Sequence, residues 1–252
     1  MKKEEYAKLL YDTYVSGDVI SKDVVGEGID SLAKAYEVQH LVTAHKEAAG
    51  ESIAGYKIGL TNDASQKSFG ASEPIYGQMT AKSIVPKVEF ASTNYPRIEL
   101  ELVFIAQHDL SYEDTAVELL KKVIVAPALE IPDSRYEDWA GKITAVQFCS
   151  DCAVSSYVTY GEARPATYDD ISSMAGVLLH NSEEVGRNTP EAVLGHPALA
   201  LEWLVKKLGE QGLTIKKGMF VSSGTFIPPQ PLKEGIYEGL FEGLGNVTFE
   251  VL

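Results

Sequence analysis

The stretch that decides the fold is Arg97-Ile98-Glu99-Leu100-Glu101-Leu102-Val103-Phe104. Apolar and polar residues alternate along it up to Leu102, which is the period of a strand with one face in a core. Glu99 and Glu101 then share the other face, with their Cα atoms roughly 7 Å apart. Such a pair is typical either of a sheet face in water or of a divalent metal site.

A third acid favours the metal site. Glu130 is the only charged residue in the apolar segment Ile124-Val125-Ala126-Pro127-Ala128-Leu129-Glu130-Ile131. A carboxylate buried there must be neutral, ion-paired or metal-bound, because burying an isolated charge is very costly. Three carboxylates from two strands suit Mg²⁺ or Mn²⁺, which prefer oxygen ligands and leave positions for water or a chelating substrate. The pattern is suggestive, but by itself it is not specific.

In the rest of the chain, the predicted secondary structure changes from mainly helix to mainly strand near residue 80. Before it, apolar spacing predicts a helix over Lys3–Val15 and a second helix capped by Asp30 or Ser31. After it, alternation and turn residues predict mainly strands. We therefore expect an α+β protein in which a helical N-terminal region, residues 1–80, packs on a β-rich catalytic core, residues 81–252, in one structural unit.

Composition limits the classes of function. The chain has 252 residues, 45% of them hydrophobic, and 22 Lys and Arg against 36 Asp and Glu give a net charge of −14. This composition excludes disorder as the main state and disfavours a nucleic-acid or anionic-membrane partner. No export signal or spanning segment is apparent, and the two cysteines, Cys149 and Cys152, make no disulfide framework. We expect a soluble, cytoplasmic protein.

Further motifs accompany the three glutamates along the chain. They are Gly55-Tyr56-Lys57-Ile58-Gly59-Leu60-Thr61, Glu73-Pro74-Ile75-Tyr76-Gly77, Pro127-Ala128-Leu129-Glu130-Ile131, Asp133-Ser134-Arg135, Leu194-Gly195-His196-Pro197 and Val221-Ser222-Ser223-Gly224. Together with Pro96–Glu101, this ordered set resembles the 2-keto-4-pentenoate hydratase and 4-oxalocrotonate decarboxylase family of the fumarylacetoacetate hydrolase superfamily. The resemblance covers nearly the whole chain.

The resemblance implies a fumarylacetoacetase-like core, in which a bent mixed β-sheet surrounds the active site. It implies that Glu99, Glu101 and Glu130 hold Mg²⁺ or Mn²⁺. It also implies catalytic roles for Lys57 and Asp151. The residues expected to bind substrate are Ile75, Ser155, Ser223 and Gly224.

The resemblance further implies a lyase that acts on a short 2-keto-enoate. A 2-keto acid can chelate the metal, which makes a dienolate accessible. Water addition to 2-hydroxypenta-2,4-dienoate is the leading reaction, and decarboxylation of 4-oxalocrotonate is the alternative. Acylpyruvate hydrolysis, or a non-catalytic member that binds metal or a partner subunit, remains a further alternative. A homo-oligomer and a hydratase–decarboxylase complex are the implied assemblies.

The chain departs from the family pattern at three places. Many hydratases have an acid where this chain has Ile75, and isoleucine cannot transfer a proton, which favours decarboxylation. An acid restored there is expected to raise hydration. The segments Cys149–Val154 and Thr225–Pro231 also differ from the usual forms, and from them we expect an altered pocket.

Overall fold

The computed structural model describes all 252 residues and contains twelve strands and seven α-helices. The helices are α1 (Lys3–Ser16), α2 (Leu32–Ala48), α3 (Asp63–Phe69), α4 (Ala116–Leu120), α5 (Ala145–Ser150), α6 (Tyr168–Ser172) and α7 (Pro197–Glu210). The strands are β1 (Ile53–Gly59), β2 (Ile75–Thr80), β3 (Lys87–Val88), β4 (Arg97–Ala106), β5 (Val123–Ile131), β6 (Tyr157–Tyr160), β7 (Gly176–His180), β8 (Glu183–Asn188), β9 (Phe220–Ser222), β10 (Gln230–Pro231), β11 (Gly235–Phe241) and β12 (Gly245–Val251).

The larger sheet is mixed and curls on itself. Its strand order is β2-β1-β9-β4-β5-β6, with β10 paired to the start of β4. Only β1 and β9 run parallel within it. The segment just after β2 returns to the opposite edge, where Ile84 forms a bridge to Val158 of β6. The inner face of the curl is therefore enclosed.

The alternation along β4 places its residues on two different cores. Ile98, Leu100 and Leu102 belong to the main hydrophobic cluster outside the curl. On the inner face, Val103 packs in a small cluster with Met79, Ala128, Val158 and Phe220. Because side chains alternate along a strand, Glu99 and Glu101 share the inner face with Val103. The acidic residues thus point into the enclosed side of the sheet.

A second sheet, in the order β3-β12-β11-β7-β8, covers the outer face of the first. The approach is close at Gly176 of β7, where a Cβ would lie 3.0 Å from a methyl carbon of Leu100. Because the second sheet packs on its outer face, β4 is buried on both faces, although its sequence alternates as that of a half-exposed strand does.

None of the helices is both long and apolar enough to cross a membrane.

The N-terminal helices lie against one another and against the larger sheet. Helix α1 contacts α2, and α2 contacts α5 and β2. Helix α2 begins after Ser31, in agreement with the prediction. The buried hydroxyl groups of Tyr6 and Tyr136 form a hydrogen bond that ties α1 to the loop after β5.

Residues 1–80 also contribute β1 and β2 to the larger sheet, so this region is not purely helical. Strand β1, Ile53-Ala-Gly-Tyr-Lys-Ile-Gly, lacks the alternation that identifies a strand in sequence. Gly55 permits close packing of β1 against β9, because a Cβ at this position would lie 2.2 Å from the carbonyl oxygen of Phe220. The proposed boundary at residue 80 remains a prediction.

Candidate metal centre

The register of β4 and β5 brings the three glutamates together. Glu99 lies directly opposite Glu130, and Glu101 lies opposite Ala128. One carboxylate oxygen from each of Glu99, Glu101 and Glu130 lies within 4.8 Å of the other two. Glu101 and Glu130 are fully buried, whereas Glu99 is half-buried. The sequence-predicted ligand set is therefore assembled at one point.

Lys57 reaches this point from β1. It is 2% exposed, and its Nζ lies 2.6 Å from Oε1 of Glu130. Burial alone would lower the pKa of Lys57, but Glu130, Glu99 and Glu101 together raise it. The lysine is therefore held as a cation at the edge of the carboxylate cluster.

The carboxylates have more acceptor atoms than the protein satisfies. Oε1 of Glu101 and Oε2 of Glu130 are buried and accept no hydrogen bond, and Oε1 of Glu130 faces only Lys57. Burial, with the neighbouring carboxylates, raises the pKa of Glu101 well above its ordinary value, and burial raises that of Glu130 despite Lys57. Buried unpaired oxygens of this kind are costly unless another group binds them. The donor set fits a hard divalent cation.

The end of β9 orients Glu101. Its Oε2 accepts a hydrogen bond of 2.5 Å from the Ser222 hydroxyl and one of 3.0 Å from the Gly224 backbone amide. Gly224 has φ +105°, which a side chain would strain, and a Cβ there would lie 2.6 Å from Thr61. Oε2 is thereby fixed, and the unpartnered Oε1 remains available to a ligand.

A cavity of about 640 Å³ opens beside the carboxylates. Lys57, Arg97 and Glu99 are the only charged residues that line it. Helix α3 and the segment Thr225–Pro229 form part of the remaining wall. Its volume is in the range of small-molecule sites, so the arrangement can accept a small anionic substrate next to a metal. Most of the segment Thr225–Pro231, which differs from the usual family form, is thus part of the cavity wall.

Asp151, which the resemblance implied to be catalytic, does not line this cavity. It is 3% exposed and forms a buried ion pair with Arg135. Its Oδ2 also accepts hydrogen bonds from the Ser134 hydroxyl and the Arg135 backbone amide. Both carboxylate oxygens are therefore engaged in joining the loop after β5 to the end of α5.

The four residues expected to bind substrate also lie off the cavity wall. Ile75 is fully buried in the main core, and the Ser155 hydroxyl donates to the Gln78 carbonyl at 3.4 Å. The Ser223 hydroxyl accepts from the backbone amide of Leu102, and the Gly224 amide is used by Glu101. Their predicted contact with substrate remains a prediction, and the contacts seen are internal to the protein.

Arg97 is a cavity residue to which the sequence analysis assigned no role. It precedes Glu99 by two residues, so the period of a strand places both on the same face. That spacing is the signal that could have identified it. Other wall residues come from β1, α3, α5 and loops, whose relative positions the sequence does not reveal.

The larger curled sheet and the covering second sheet define a protein of the fumarylacetoacetase-like fold, with the carboxylate cluster as its candidate divalent-metal site. No family model matches the chain. It is 32% identical over 234 residues to a 2-keto-4-pentenoate hydratase from Paraburkholderia phymatum, covering 90% of this chain and 87% of that one. It is 31% identical over 211 residues to a 4-oxalocrotonate decarboxylase from Pseudomonas sp. CF600, covering 81% and 79%.

Solved structures agree with this likeness. A 4-oxalocrotonate decarboxylase from Pseudomonas putida G7, complexed with magnesium and adipate, superposes with a TM-score of 0.90 at 27% identity, covering 99% of this chain and 97% of that one. A fumarylpyruvate hydrolase from Pseudomonas aeruginosa, with Mn²⁺ and pyruvate, shares the fold at a TM-score of 0.56 and 17% identity, covering 78% and 88%. This chain belongs to the family of 2-keto-4-pentenoate hydratases and 4-oxalocrotonate decarboxylases.

Proposed function

We propose that the protein is a divalent-metal-dependent lyase that acts on a short 2-keto-enoate. The observation that carries this proposal is the set of unpartnered carboxylate oxygens on Glu101 and Glu130, beside Lys57 and at the wall of a substrate-sized cavity. A structural ion-pair network would instead pair these oxygens. The hydratase relatives favour hydration of 2-hydroxypenta-2,4-dienoate as the reaction.

Glu99, Glu101 and Glu130 would hold the metal, and the oxygen-only donor set favours Mg²⁺ or Mn²⁺. When bound, the cation supplies Lewis-acid stabilisation of negative charge on the keto oxygen of a 2-keto acid. Ser222 and Gly224 keep Oε2 of Glu101 in place. They thereby fix the direction in which its free oxygen points.

Lys57 contributes a second, fixed positive charge. Because it is held as a cation beside Glu130, it attracts the substrate's anionic oxygens and stabilises charge that develops there. Apolar residues around the cavity, among them Trp139, Phe148 and Phe226, limit the access of water to these charges. Exclusion of water strengthens both electrostatic effects.

Decarboxylation of 4-oxalocrotonate is a second candidate, favoured by the composition of the cavity wall. Hydration requires a proton at one carbon of the diene and water at another, and the wall offers no histidine and no acid besides Glu99. In decarboxylation, the bond to the terminal carboxylate breaks, CO₂ leaves, and the electron pair passes through the conjugated chain to the keto oxygen. That step needs an electron sink but no base.

An assay of the purified protein with each substrate tests the proposal. The protein is stripped with EDTA, then reloaded with Mg²⁺ or Mn²⁺, while ultraviolet absorbance and released CO₂ are followed. Metal-dependent loss of 2-hydroxypenta-2,4-dienoate without CO₂ supports hydration, and CO₂ from 4-oxalocrotonate supports decarboxylation. Absence of metal-dependent turnover of either substrate would contradict the proposal.

The same protein preparations also test which metal is the physiological cofactor and how the chain assembles. The metal that gives the higher turnover at cellular concentrations would identify the physiological cofactor.

We also infer, from the family, that the chain forms a homo-oligomer and associates with a partner hydratase or decarboxylase. Light scattering after size-exclusion chromatography, with and without such a partner, measures both assemblies.

A further inference from the structure

Leu60 and Thr61, which follow β1, carry unpaired hydrogen-bond donors on the cavity wall. Neither backbone amide donates a hydrogen bond to another backbone group of the chain. The Thr61 hydroxyl group also has no hydrogen-bond partner, although the residue is only 2% exposed. Polar groups this deeply buried are costly unless a ligand or water binds them. One short segment therefore holds three unpaired donors at the cavity.

Contacts from other elements hold this segment in a strained conformation. Leu60 has φ +57°, in the left-handed region that residues with a side chain disfavour. Its carbonyl oxygen accepts a hydrogen bond of 3.0 Å from the Gln66 side chain of α3. The carbonyl oxygen of Thr61 accepts one of 3.0 Å from the Leu194 amide. Both carbonyl groups are thus fixed by partners within the chain, and only the amide side lacks them.

The pairing of β1 with β2 determines which way the Leu60 amide points. Tyr76 and Gln78 of β2 donate their backbone amides to side chains of α2. Because such bonds alternate along a strand, Ile75 is left to bond to Gly59, its partner on β1. The Gly59 carbonyl therefore faces β2, and the trans peptide turns the Leu60 amide to the other side, towards the end of β9. The left-handed residue aligns the next amide with its own, as in the backbone concavities that bind anions.

We propose that the amides of Leu60 and Thr61, with the Thr61 hydroxyl, bind the carboxylate group of the 2-keto acid and so orient it at the glutamate cluster. The end of β9 joins the two sites. A Cβ at Gly224 would lie 2.6 Å from Oγ1 of Thr61, and the Gly224 amide holds Glu101. This inference rests on the proposed function, which supplies the 2-keto acid. Both candidate substrates carry this carboxylate, so the inference applies to either reaction.

The chemistry of a carboxylate matches these donors. An ionised carboxylate can accept about four hydrogen bonds, and bonds to it are stronger than those between neutral groups. Lys57 adds a positive charge to the same wall, three residues before Leu60. A carboxylate held in this way has one orientation, which fixes the position of the adjacent keto group. Thr61 is thereby a substrate-binding residue that positions the reacting end of the molecule.

Isothermal titration of pyruvate into the Mg²⁺-loaded protein tests the Thr61 hydroxyl. Thr61→Val keeps the shape of the side chain and is expected to weaken pyruvate binding about tenfold, the effect of losing one hydrogen bond to a charged group. Thr61→Ser should retain most of the affinity. Thr43→Val is the matched control, because it removes a hydroxyl that is also buried and unpartnered but lies on α2, outside the cavity. Mg²⁺ affinity without pyruvate should be the same in all four proteins.

Hydrogen–deuterium exchange, measured by mass spectrometry, tests the two amides. Uptake by a peptide that contains residues 56–66 is compared in the Mg²⁺-loaded protein with and without saturating pyruvate. Because these amides gain an acceptor only when the keto acid is bound, uptake is expected to fall on addition of pyruvate. A purely structural segment would show the same uptake in both states.

Unchanged pyruvate affinity in Thr61→Val, or unchanged exchange of this peptide, would overturn the inference and leave the proposed function intact. An equal loss of Mg²⁺ affinity in Thr61→Val would also overturn it, because the hydroxyl would then act through Glu101. Failure of the parent protein to bind pyruvate in the presence of Mg²⁺ would overturn the proposed function and this inference with it.

Discussion

Charge balance at the residue scale explains why the candidate metal centre needs a further cation. When ionised, Glu99, Glu101 and Glu130 carry three negative charges, and Lys57 neutralises one of them. The remaining two charges equal those of one divalent ion. Two of the three acids are fully buried, where unneutralised charge is most costly. The raised pKa of both buried acids reflects that cost.

Ile75→Asp is predicted to destabilise the protein instead of increasing hydration. Ile75 is fully buried in the main hydrophobic cluster and does not line the cavity, so the new carboxylate would lack water and a partner. We expect the free energy of unfolding in urea to fall by about 3–5 kcal/mol. Ile75→Val, the control, should lose about 1 kcal/mol. Retained stability together with faster hydration would show that position 75 reaches the substrate.

Single residues were predictable to different extents. Glu99 and Glu101 could be identified because the period of a strand fixes which side chains share a face. Glu130 could be identified because it interrupts an apolar run. Asp151 and Ser155 could not be placed, because they follow α5 in a segment where Ala153 has φ +52°. The side-chain directions there depend on tertiary packing, which local sequence does not specify.

At the element scale, the end of β9 holds Glu101, a proposed metal ligand, in position. Gly224→Ala is predicted to weaken Mg²⁺ binding roughly tenfold, because the added Cβ meets Thr61 and displaces the amide that holds Glu101. Calorimetric titration of Mg²⁺ measures the change.

Gly243→Ala is the control for this substitution. Gly243 also has a positive φ, +70°, but a Cβ there has no neighbour within 4 Å. It should cost about 1 kcal/mol of stability through backbone strain and leave Mg²⁺ affinity unchanged. Equal Mg²⁺ affinity in both variants would mean that the Gly224 amide does not support the ligand.

The joint between the loop after β5 and the end of α5 depends on the Arg135–Asp151 pair. Asp151→Asn is predicted to lower the free energy of unfolding by about 3 kcal/mol, because the buried guanidinium loses its counter-charge. Asp109→Asn removes the acid of an exposed pair with Lys216 and should change stability by about 0.5 kcal/mol or less. If Asp151→Asn lost turnover with stability intact, Asp151 would act on the substrate.

Elements were predictable where one physical signal dominated. Strand β4, Arg97–Ala106, begins with the predicted alternation up to Leu102, and α2 follows the predicted cap at Ser31. Strand β1 was missed because its two glycines serve close packing, Gly55 against Phe220 of β9 and Gly59 against Phe148 of α5, instead of forming a periodic face. The register between β1 and β9 nevertheless sets the position of Lys57 in the site, because Lys57 lies opposite Ser222.

At the scale of the whole molecule, two sheets and the N-terminal helices enclose the carboxylates. The α+β class and the fumarylacetoacetase-like fold were predicted correctly from the sequence. The curl of the larger sheet was available only through the resemblance, because it depends on contacts between distant segments such as Ile84 and Val158. The cavity wall likewise combines α3, β4 and the segment after β9.

The central claim is that Glu99, Glu101 and Glu130 form a divalent metal site required for catalysis. Titration of Mg²⁺ into EDTA-stripped protein, with turnover measured on the same samples, tests it most directly. The parent is predicted to bind one Mg²⁺ per chain, and Glu101→Gln to lose more than about tenfold in affinity together with its turnover. Glu250→Gln, at an exposed position on β12, should match the parent. Full turnover in EDTA, or unchanged Mg²⁺ affinity and turnover in Glu101→Gln, would contradict the claim.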